Sequence, residues 1–415
     1  MPQTYRPDTA AQVAELMAWA VAEATPLSLR GQDTKAALGR ATNTSHVLDL
    51  SALTGIIDYA PNELVLTAQA GTSLTDVQAA LDEAGQMLAF EPPDWRALLG
   101  RPNGPNDPPG TLGGLIACNL AGPRRLSAGA ARDHLLGVHG VTGRAEAVKS
   151  GGRVVKNVTG FDLSKLMAGS FGTLMALTEL SLRVVPRPET ARTVLVLGTG
   201  EHAAMEVMSH GLRSPHEVSG AAFLPELVAA DSEVAAVREC GRAVVALRIE
   251  GPEPSVAWRS EALRNELSGW GPTESLDGAD SAALWTEVRD VRLLMTPPEA
   301  QIWRLSVAPM AGAAVVRTLE DHAPGALLGW YYDWGGGLVW LALAPTDHAH
   351  AAAVRQAIAL HGGGHATLVR ADPAVRAHVA VFQPQPSALA ALSRRVKESF
   401  DPKGLLNPGR MGEGR

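Results

Sequence analysis

The first hundred residues alternate between short strand patterns and helix patterns, and this alternation restricts the chain to folds that mix the two. Apolar residues repeat at helical spacing after Asp8, a candidate N-cap, so a helix is predicted over residues 7–24. Strands are predicted over residues 26–30, 47–50 and 64–70, and a second helix from Leu74 is predicted to end at Gly85. The amino-terminal part is therefore expected to be a mixed domain with short loops between its elements.

The length of the chain requires more than one domain. At about 150 residues per domain, 415 residues correspond to two or three units. Pro186 and Pro188 end a strand predicted over residues 176–185, and we place a boundary there. An alanine-rich α+β region follows, and then a helix predicted over residues 387–399. The expected domains are 1–188, 189–385 and 386–415, and the expected fold class is α+β.

Composition and charge exclude several classes of function. Apolar residues make up 46% of the chain, but no apolar run approaches the roughly 18 residues that span a bilayer, and the amino terminus lacks a secretion signal pattern. A net charge of −7 without a long basic block argues against nucleic acid binding. Cys118 and Cys240 lie too far apart for a Cys-x-x-Cys metal or iron–sulfur site. We expect a cytoplasmic protein that binds no metal itself.

The junction after the strand predicted over residues 26–30 has the composition of an anion-binding loop. It consists of Arg30, Gly31, Gln32, Asp33, Thr34 and Lys35, with Gly39 and Arg40 behind it. Consecutive backbone N–H groups in such a turn form a concave anion site, to which a hydroxyl and a lysine charge add. A pyrophosphate group suits this chemistry. A plain surface turn with a solvated lysine explains the same six residues equally well.

A second glycine-bearing segment lies about eighty residues downstream, at the end of a proline- and glycine-rich stretch over residues 100–114. Its candidate binding residues are Thr111, Gly113, Gly114, Cys118, Asn119 and Gly122. Paired glycines let a backbone approach a ligand closely, and the apolar residues that follow predict a short helix whose N-terminus faces the same anion. Two such segments in one domain indicate a single large dinucleotide held from two sides.

Other motifs fit ordinary structure better than a functional site. Residues 198–203 match the nicotinamide fingerprint G-x-G-x-x-A, but the residues that follow cannot form the second parallel strand that this site requires. Three glycines between His361 and His365 prevent one helix from presenting both rings to zinc. Residues 145–148 and 153–156 flank Ser-Gly-Gly at 150–152 and predict a β-hairpin.

In combination, these motifs resemble a known family. Residues 26–190 are similar to the FAD-binding domain of the vanillyl-alcohol-oxidase and p-cresol-methylhydroxylase (PCMH) type, and the whole chain is similar to the E-type (GlcE-like) subunits of bacterial glycolate oxidases. The matching sequences are Gly55-Ile56-Ile57 with Tyr59, Glu63-Leu64-Val65, Ala70-Gly71-Thr72, residues 85–88 with 91–93, residues 118–125 and 156–164, Asp333-Trp334-Gly335-Gly336, and residues 363–367. These matches keep the order and spacing of the family over nearly the full length of the chain. The resemblance is weakest between about residues 200 and 330.

The resemblance implies a PCMH-type FAD-binding fold of two subdomains, with an α+β cap domain over the flavin. In such a fold the loop from Arg30 to Lys35 holds the pyrophosphate, and Gly113, Gly114 and residues 118–122 pack on the dinucleotide from the other side. Gly172 and Leu177 match positions whose backbone meets the flavin. Relatives usually carry glycine or asparagine where this chain has Asp33. We expect either that this side chain points away from the diphosphate or that FAD affinity is reduced.

The resemblance also bears on the chemistry. Non-covalent FAD is expected, because the first loop has no histidine or cysteine for attachment. Hydroxy-acid dehydrogenases of similar fold use a His-Gly-His-x-x-Asp-Gly-Asn motif, whereas the sequence from His361 to His365 lacks the acid and the asparagine. No catalytic residue is assigned, and the oxidation step is expected on another subunit. Arg125 and Lys165 are charges that could face reduced flavin, but structural roles are favoured for both.

The expected function is that of an FAD-binding redox subunit of a glycolate (2-hydroxy-acid) oxidase or dehydrogenase complex, which forms glyoxylate. The resemblance implies a D-type flavin subunit and an F-type iron–sulfur subunit as partners, and contact with the membrane only through that complex. Two alternatives stay open. One is a self-sufficient FAD-dependent 2-hydroxy-acid oxidase, and the other is an assembly protein that has kept the fold and lost the cofactor.

Overall fold

The structure is a computed structural model that describes residues 3–42, 44–104, 106–152 and 161–412. The chain forms two compact units. The first unit comprises Met1–Ala121, Gly129–Arg187 and Pro384–Arg415, and the second comprises Gly122–Ala128 and Pro188–Gln383. Residues 122–128 therefore interrupt the run over 1–188 that the sequence predicted as one domain.

Strands and helices occur throughout both units. The strands are β1 Gln3–Tyr5, β2 Leu27–Arg30, β3 His46–Asp49, β4 Ile56–Ala60, β5 Val65–Gln69, β6 Gln86–Met87, β7 Leu135–Thr142, β8 Ala147–Gly151, β9 Met175–Arg183, β10 Val185–Pro186, β11 Thr190–Leu197, β12 Val218–Leu224, β13 Val244–Gly251, β14 Thr273–Asp277, β15 Gln301–Ser306, β16 Leu327–Asp333, β17 Leu338–Leu343 and β18 His365–Arg370. The α-helices are α1 Ala10–Ala22, α2 Leu74–Glu83, α3 Leu112–Cys118, α4 Arg125–Ala128, α5 Ala131–His134, α6 Leu163–Met167, α7 Glu201–Arg213, α8 Glu226–Ala229, α9 Ala235–Arg238, α10 Glu253–Leu267, α11 Gly278–Asp290, α12 Gly312–His322, α13 Ala351–Leu360, α14 Pro373–His378 and α15 Ser387–Phe400. The predicted α+β class is confirmed.

The first unit begins with a parallel sheet in the order β1-β3-β2, to which α1 contributes an apolar face. Fully buried residues of α1 and the strands share one cluster: Val13, Met17, Ala20, Leu27 and Leu48. Burial of such side chains stabilises the fold by roughly 25 cal/mol per Å² of apolar surface removed from water. The cluster therefore fixes β2, and with β2 the start of the loop that follows it.

Two local predictions in this region need correction. Helix α1 starts after Thr9, whose Oγ1 accepts a hydrogen bond from the Gln12 N–H at 3.2 Å, so Thr9 and not Asp8 is the N-cap. Strand β4 was not predicted. Its residues Ile56 and Ile57 are both exposed, so the strand lacks the alternation of apolar and polar residues that marks a half-buried strand.

A five-stranded antiparallel sheet in the order β4-β5-β9-β7-β8 forms the rest of the first unit's framework. In the β7–β8 hairpin, Ser150 lies opposite Val138 and Gly151 lies opposite Gly137. Ser150 and Gly151 therefore belong to β8 and not to the predicted turn, and the chain turns between Thr142 and Ala147 instead. Residues 153–156, the other predicted arm, lie outside the described residues.

The second unit is built on an antiparallel sheet in the order β14-β11-β13-β12-β16-β17-β15-β18. Strand β11 pairs antiparallel with both β13 and β14, so the G-x-G-x-x-A match at residues 198–203 is an ordinary turn between β11 and α7. Buried residues of α7, α10, α12 and α13 cover one face of this sheet. No helix in the described parts of the chain is both long and apolar enough to cross a bilayer.

Residues 122–128 join the second unit through charged and aromatic contacts. The Arg124 guanidinium binds both carboxylate oxygens of Glu250 on β13, at 2.7 and 2.9 Å. Burial raises the pKa of the Glu250 carboxyl, but the Arg248 and Arg124 charges outweigh that effect and hold the pKa at about 2. The Trp334 Nε1–H also donates to the Gly122 carbonyl at 3.1 Å. Such pairing between distant positions is not encoded in local sequence patterns.

Candidate cofactor site

The loop after β2 presents a run of free backbone donors. Strand β2 ends at Arg30, whose carbonyl accepts the Leu50 N–H at 2.8 Å. Beyond it, the N–H groups of residues 31–35 have no hydrogen-bond acceptor among the residues that the structure describes. Asp33 has φ +59°, in the left-handed region, which bends the run into a concave turn. A row of unpaired N–H groups in such a turn can bind an anion by donating hydrogen bonds to it.

A positive charge stands beside these donors. Lys35 Nζ lies 3.4 Å from Thr34 Oγ1, its one hydrogen-bond partner in the described chain. Burial lowers the pKa of the Lys35 ammonium, an effect that the nearby Cys118 and Asp94 oppose. The Lys35 ammonium is buried away from water and has no ion pair with a carboxylate among the described residues, so it can pair with an anionic ligand. The free N–H groups and Lys35 together fit a diphosphate.

The Asp33 carboxylate is compensated by two arginines. Arg101 Nη2 lies 3.0 Å and Arg30 Nη1 lies 3.5 Å from its Oδ2. These ion pairs offset the negative charge that the sequence places in the loop. The left-handed backbone at this position also suits glycine and asparagine, which adopt it readily. Asp33 is thus compatible with a loop that binds an anion.

The second glycine-bearing segment packs directly on this loop. The Gly110 N–H donates to Gln32 Oε1 at 2.9 Å. A Cβ at Gly31 would lie 2.5 Å from Thr111 Oγ1, a distance that atoms of this kind cannot reach without displacement. The absence of a side chain at Gly31 therefore permits the contact, and the two segments that the sequence singled out are brought together.

The start of α3 does not offer donors to an anion, contrary to the sequence-based expectation. The Leu112 N–H donates to Thr72, the Gly113 N–H donates to Ala70, and the Gly114 N–H donates to Thr111 Oγ1. Internal acceptors thus occupy the backbone donors of the first helical turn. This segment contributes close packing, and the free donors come from residues 31–35.

The far end of α3 connects to the turn that contains Gly172. The Phe171 N–H donates to the Ala117 carbonyl at 2.9 Å, next to the half-buried Cys118. Asn119 caps α3 in a left-handed conformation with φ +50°. Gly172 has φ +68°, and a Cβ there would lie 2.7 Å from Asn407 Nδ2. The turn therefore lies against the carboxy-terminal tail, while Leu177 is buried in the following strand β9.

The carboxy-terminal tail holds the first loop from behind. Arg410 Nη2 donates to the Lys35 carbonyl at 2.9 Å, and the Arg410 carbonyl accepts the Arg40 N–H at 3.0 Å. A Cβ at Gly39 would lie 3.1 Å from Arg410 Nε. The sequence analysis assigned the residues after the predicted helix 387–399 no role in the site. The turn sequence from Asn407 to Arg410 was the available signal.

Comparison with known proteins identifies the family. The family described as FAD binding domain matches residues 2–151. Glycolate oxidase subunit GlcE of Escherichia coli strain K12 is 34% identical over 395 residues, which cover 94% of each chain. The chain belongs to the GlcE family of glycolate oxidase subunits. FAD is its cofactor, and it is an FAD-linked oxidoreductase.

More distant relatives agree with this assignment. Glycolate oxidase subunit GlcD of Bacillus subtilis strain 168 is 26% identical over 408 residues, which cover 93% of this chain and 83% of GlcD. The crystal structure of p-cresol methylhydroxylase with substrate bound superposes on this chain with a TM-score of 0.72 at 13% sequence identity. The match covers 99% of this chain and 88% of the p-cresol methylhydroxylase chain. The latter likeness establishes the PCMH-type fold expected from the sequence.

Several sequence candidates lie elsewhere in this GlcE-family chain. Gly122 belongs to the second unit, where its carbonyl accepts the Trp334 indole N–H. Lys165 Nζ donates to two backbone carbonyls at 2.7 and 2.8 Å, which is a structural role. The His361 ring lies 2.7 Å from Thr318 Oγ1, and His365 is exposed at the start of β18. No group of histidine, cysteine and carboxylate residues in the described chain is arranged to hold a metal ion.

Proposed function

We propose that this chain is the FAD-binding redox subunit of a glycolate (2-hydroxy-acid) oxidase or dehydrogenase complex. The complex would convert glycolate to glyoxylate with a GlcD-like catalytic flavin subunit and an F-type iron–sulfur subunit. Similarity to GlcE over 94% of both chains supports the complex, and similarity to GlcD supports a flavin partner. Contact with the membrane would be made only through the assembled complex.

The run of free N–H groups at residues 31–35 is the observation that carries the proposal. These donors and the Lys35 ammonium would hold the FAD diphosphate, because an anion supplies the acceptors that the described chain lacks. Thr111, Gly113, Gly114, Cys118 and Asn119 would support the dinucleotide through close packing, with Gly172 and Leu177 near the flavin end and Gly39 and Arg40 behind the loop. When bound, FAD supplies a two-electron acceptor for oxidation of a hydroxyl-bearing carbon.

FAD is proposed to bind without a covalent link. The first loop carries no histidine or cysteine, and Cys118 has a thiol whose pKa is raised by burial, which disfavours the reactive thiolate. Acid precipitation of the purified protein should release all flavin into the supernatant. Flavin that stays with the precipitated polypeptide would contradict non-covalent binding.

The experiment that tests the function is purification of the complex from its native host, followed by separation of its chains. We expect a flavin absorption spectrum on this chain, and flavin reduction by glycolate only when the GlcD-like partner is present. Reduction of the isolated chain by glycolate or lactate would favour a self-sufficient oxidase. A colourless chain that still assembles with its partners would favour the role of an assembly protein.

A further inference from the structure

Arg304 projects from one face of the second unit's sheet. It lies on β15, directly opposite Trp340 on β17 and Thr367 on β18. Its neighbours Trp303 and Leu305 belong to the apolar core on the other face of the sheet. Because successive side chains of a strand point to opposite faces, Arg304 points away from that core.

Two guanidinium groups meet the same indole ring. Arg304 Cζ lies 4.9 Å from the centroid of the Trp334 ring, and Arg125 Cζ lies 4.7 Å from it. A hydrogen bond from Nε1 to the Gly122 carbonyl orients the ring, and the Trp334 backbone N–H donates to Asp333 Oδ1 at 2.7 Å. Cation–π contact stabilises each charge but occupies none of its N–H donors.

In the part of the chain that the structure describes, no acceptor takes the N–H donors of Arg304. Its guanidinium forms neither a hydrogen bond nor an ion pair with any residue in the described ranges, although the side chain is more than half buried. Burial and then the Arg125 charge lower the pKa of Arg304 to about 10, so the group is still charged at neutral pH. The N–H donors of this buried charge are not used by any residue in the described ranges, so an anionic ligand would supply the missing acceptors.

The charges around this ring favour a monoanion. Arg125 and Arg304 carry two positive charges, and the nearby Asp333 carboxylate offsets one of them. A planar guanidinium binds a carboxylate through two parallel N–H···O bonds, a geometry that a lysine cannot supply. A monocarboxylate therefore matches both the remaining charge and the available donors better than a dianionic phosphate does.

We propose that Arg304, with Arg125 and the Trp334 ring, forms a binding site for the carboxylate group of a small monocarboxylate. This site is independent of the proposed function, which places glycolate oxidation on the GlcD-like partner. Arg304 acts as a binding residue, and Trp334 positions it.

Isothermal titration of the FAD-loaded chain tests the site. The probes are oxamate, a monocarboxylate with no oxidisable C–H bond, and its neutral analogue oxamide. We expect Arg304→Gln to weaken oxamate binding at least about tenfold and Arg304→Lys to weaken it less, because lysine keeps the charge and loses the paired donors. Arg355→Gln is the matched control. Arg355 lies over Trp303, with Cζ 5.6 Å from the ring centroid, but its guanidinium already donates to the Ala380 carbonyl.

The outcomes separate this site from the proposed function. The site would be overturned if both Arg304 variants bound oxamate within about twofold of the wild-type affinity. It would also be overturned if the wild type bound oxamide as tightly as oxamate, or did not bind oxamate. Melting temperatures of the variants near that of wild type would show that a loss of binding is not unfolding. Failure of glycolate to reduce the flavin of the complex, with Arg304-dependent oxamate binding intact, would reject the proposed function and leave the site in place.

Discussion

Asn407 Oδ1 accepts a hydrogen bond of 2.8 Å from the backbone N–H of Leu29, 378 residues earlier in the chain. The same side chain donates through Nδ2 to the Phe171 carbonyl at 2.7 Å. One amide thus connects the strand that leads into the first loop with the turn that contains Gly172. The tail of the chain is therefore part of the framework that sets the shape of the candidate FAD site.

Asn407→Ala should reduce both stability and FAD affinity. Loss of two partly buried hydrogen bonds costs about 1–3 kcal/mol, and the unsupported loop would bind FAD more weakly. Asn407→Asp should be at least as damaging, because a carboxylate oxygen cannot donate to the Phe171 carbonyl. Urea unfolding and flavin fluorescence titration measure the two effects. Asn265→Ala, on the exposed face of α10, is the control and should change neither. Unchanged FAD affinity in both Asn407 variants would show that the tail does not shape the site.

Gly31→Ala should weaken FAD binding at least about tenfold, because the new Cβ would push Thr111 away from the loop. The backbone at Gly31 is not left-handed, so the effect comes from the contact and not from strain. Flavin fluorescence titration of the apoprotein measures the change. Gly269→Ala places a Cβ in open space and should leave the affinity unchanged. Equal affinity of Gly31→Ala and wild type would mean that the two segments do not need to touch.

The charge balance around Asp33 predicts opposite effects from two substitutions. Asp33→Asn keeps a side chain that tolerates the left-handed backbone and removes one negative charge, so FAD affinity should rise up to about fivefold. Arg101→Gln leaves the carboxylate less compensated and should lower the affinity by a similar factor. Both effects should shrink at about 0.5 M salt, where exposed charges are screened. The same direction of change in both variants would contradict this account.

Glu250→Gln should destabilise the second unit by about 3 kcal/mol at pH 7. The pKa of Glu250 is lowered from 4.5 to about 2 in the folded chain, so its contribution is complete above about pH 4.5 and is lost as the pH falls towards 2. Urea unfolding at pH 7, 4 and 3 should show that the difference in unfolding free energy between Glu250→Gln and wild type shrinks as the pH falls. Glu253→Gln removes a more exposed ion pair with Arg192 and should cost less than about 1 kcal/mol. A difference that does not change with pH would exclude the carboxylate charge as its source.

Local sequence patterns predicted the parts of the fold that depend on local physics. The strand that leads to Arg30, the helix from Leu74 and the first loop were all found, because periodicity and turn chemistry act within a few residues. Strand β4 was missed because its exposed isoleucines break the alternation. The α3 N-terminus was misjudged, because the carbonyls that occupy its donors come from Ala70 and Thr72, about forty residues away.

Long-range partners account for the rest of what the sequence did not predict. Arg101 meets Asp33 across 68 positions, and Arg124 meets Glu250 across 126. Nothing in the local composition of either segment indicates such a pair. The contacts of Asn407 with β2 and of Arg410 with the first loop likewise depend on the folded arrangement of the first unit.

An experimental structure of the FAD complex tests the central claim most directly. The measured quantity is the distance from the diphosphate oxygens to the backbone nitrogens of residues 31–35. We expect several of these distances to be about 3 Å, with Lys35 Nζ also within hydrogen-bond reach. A diphosphate bound elsewhere, with these N–H groups still free, would contradict the account.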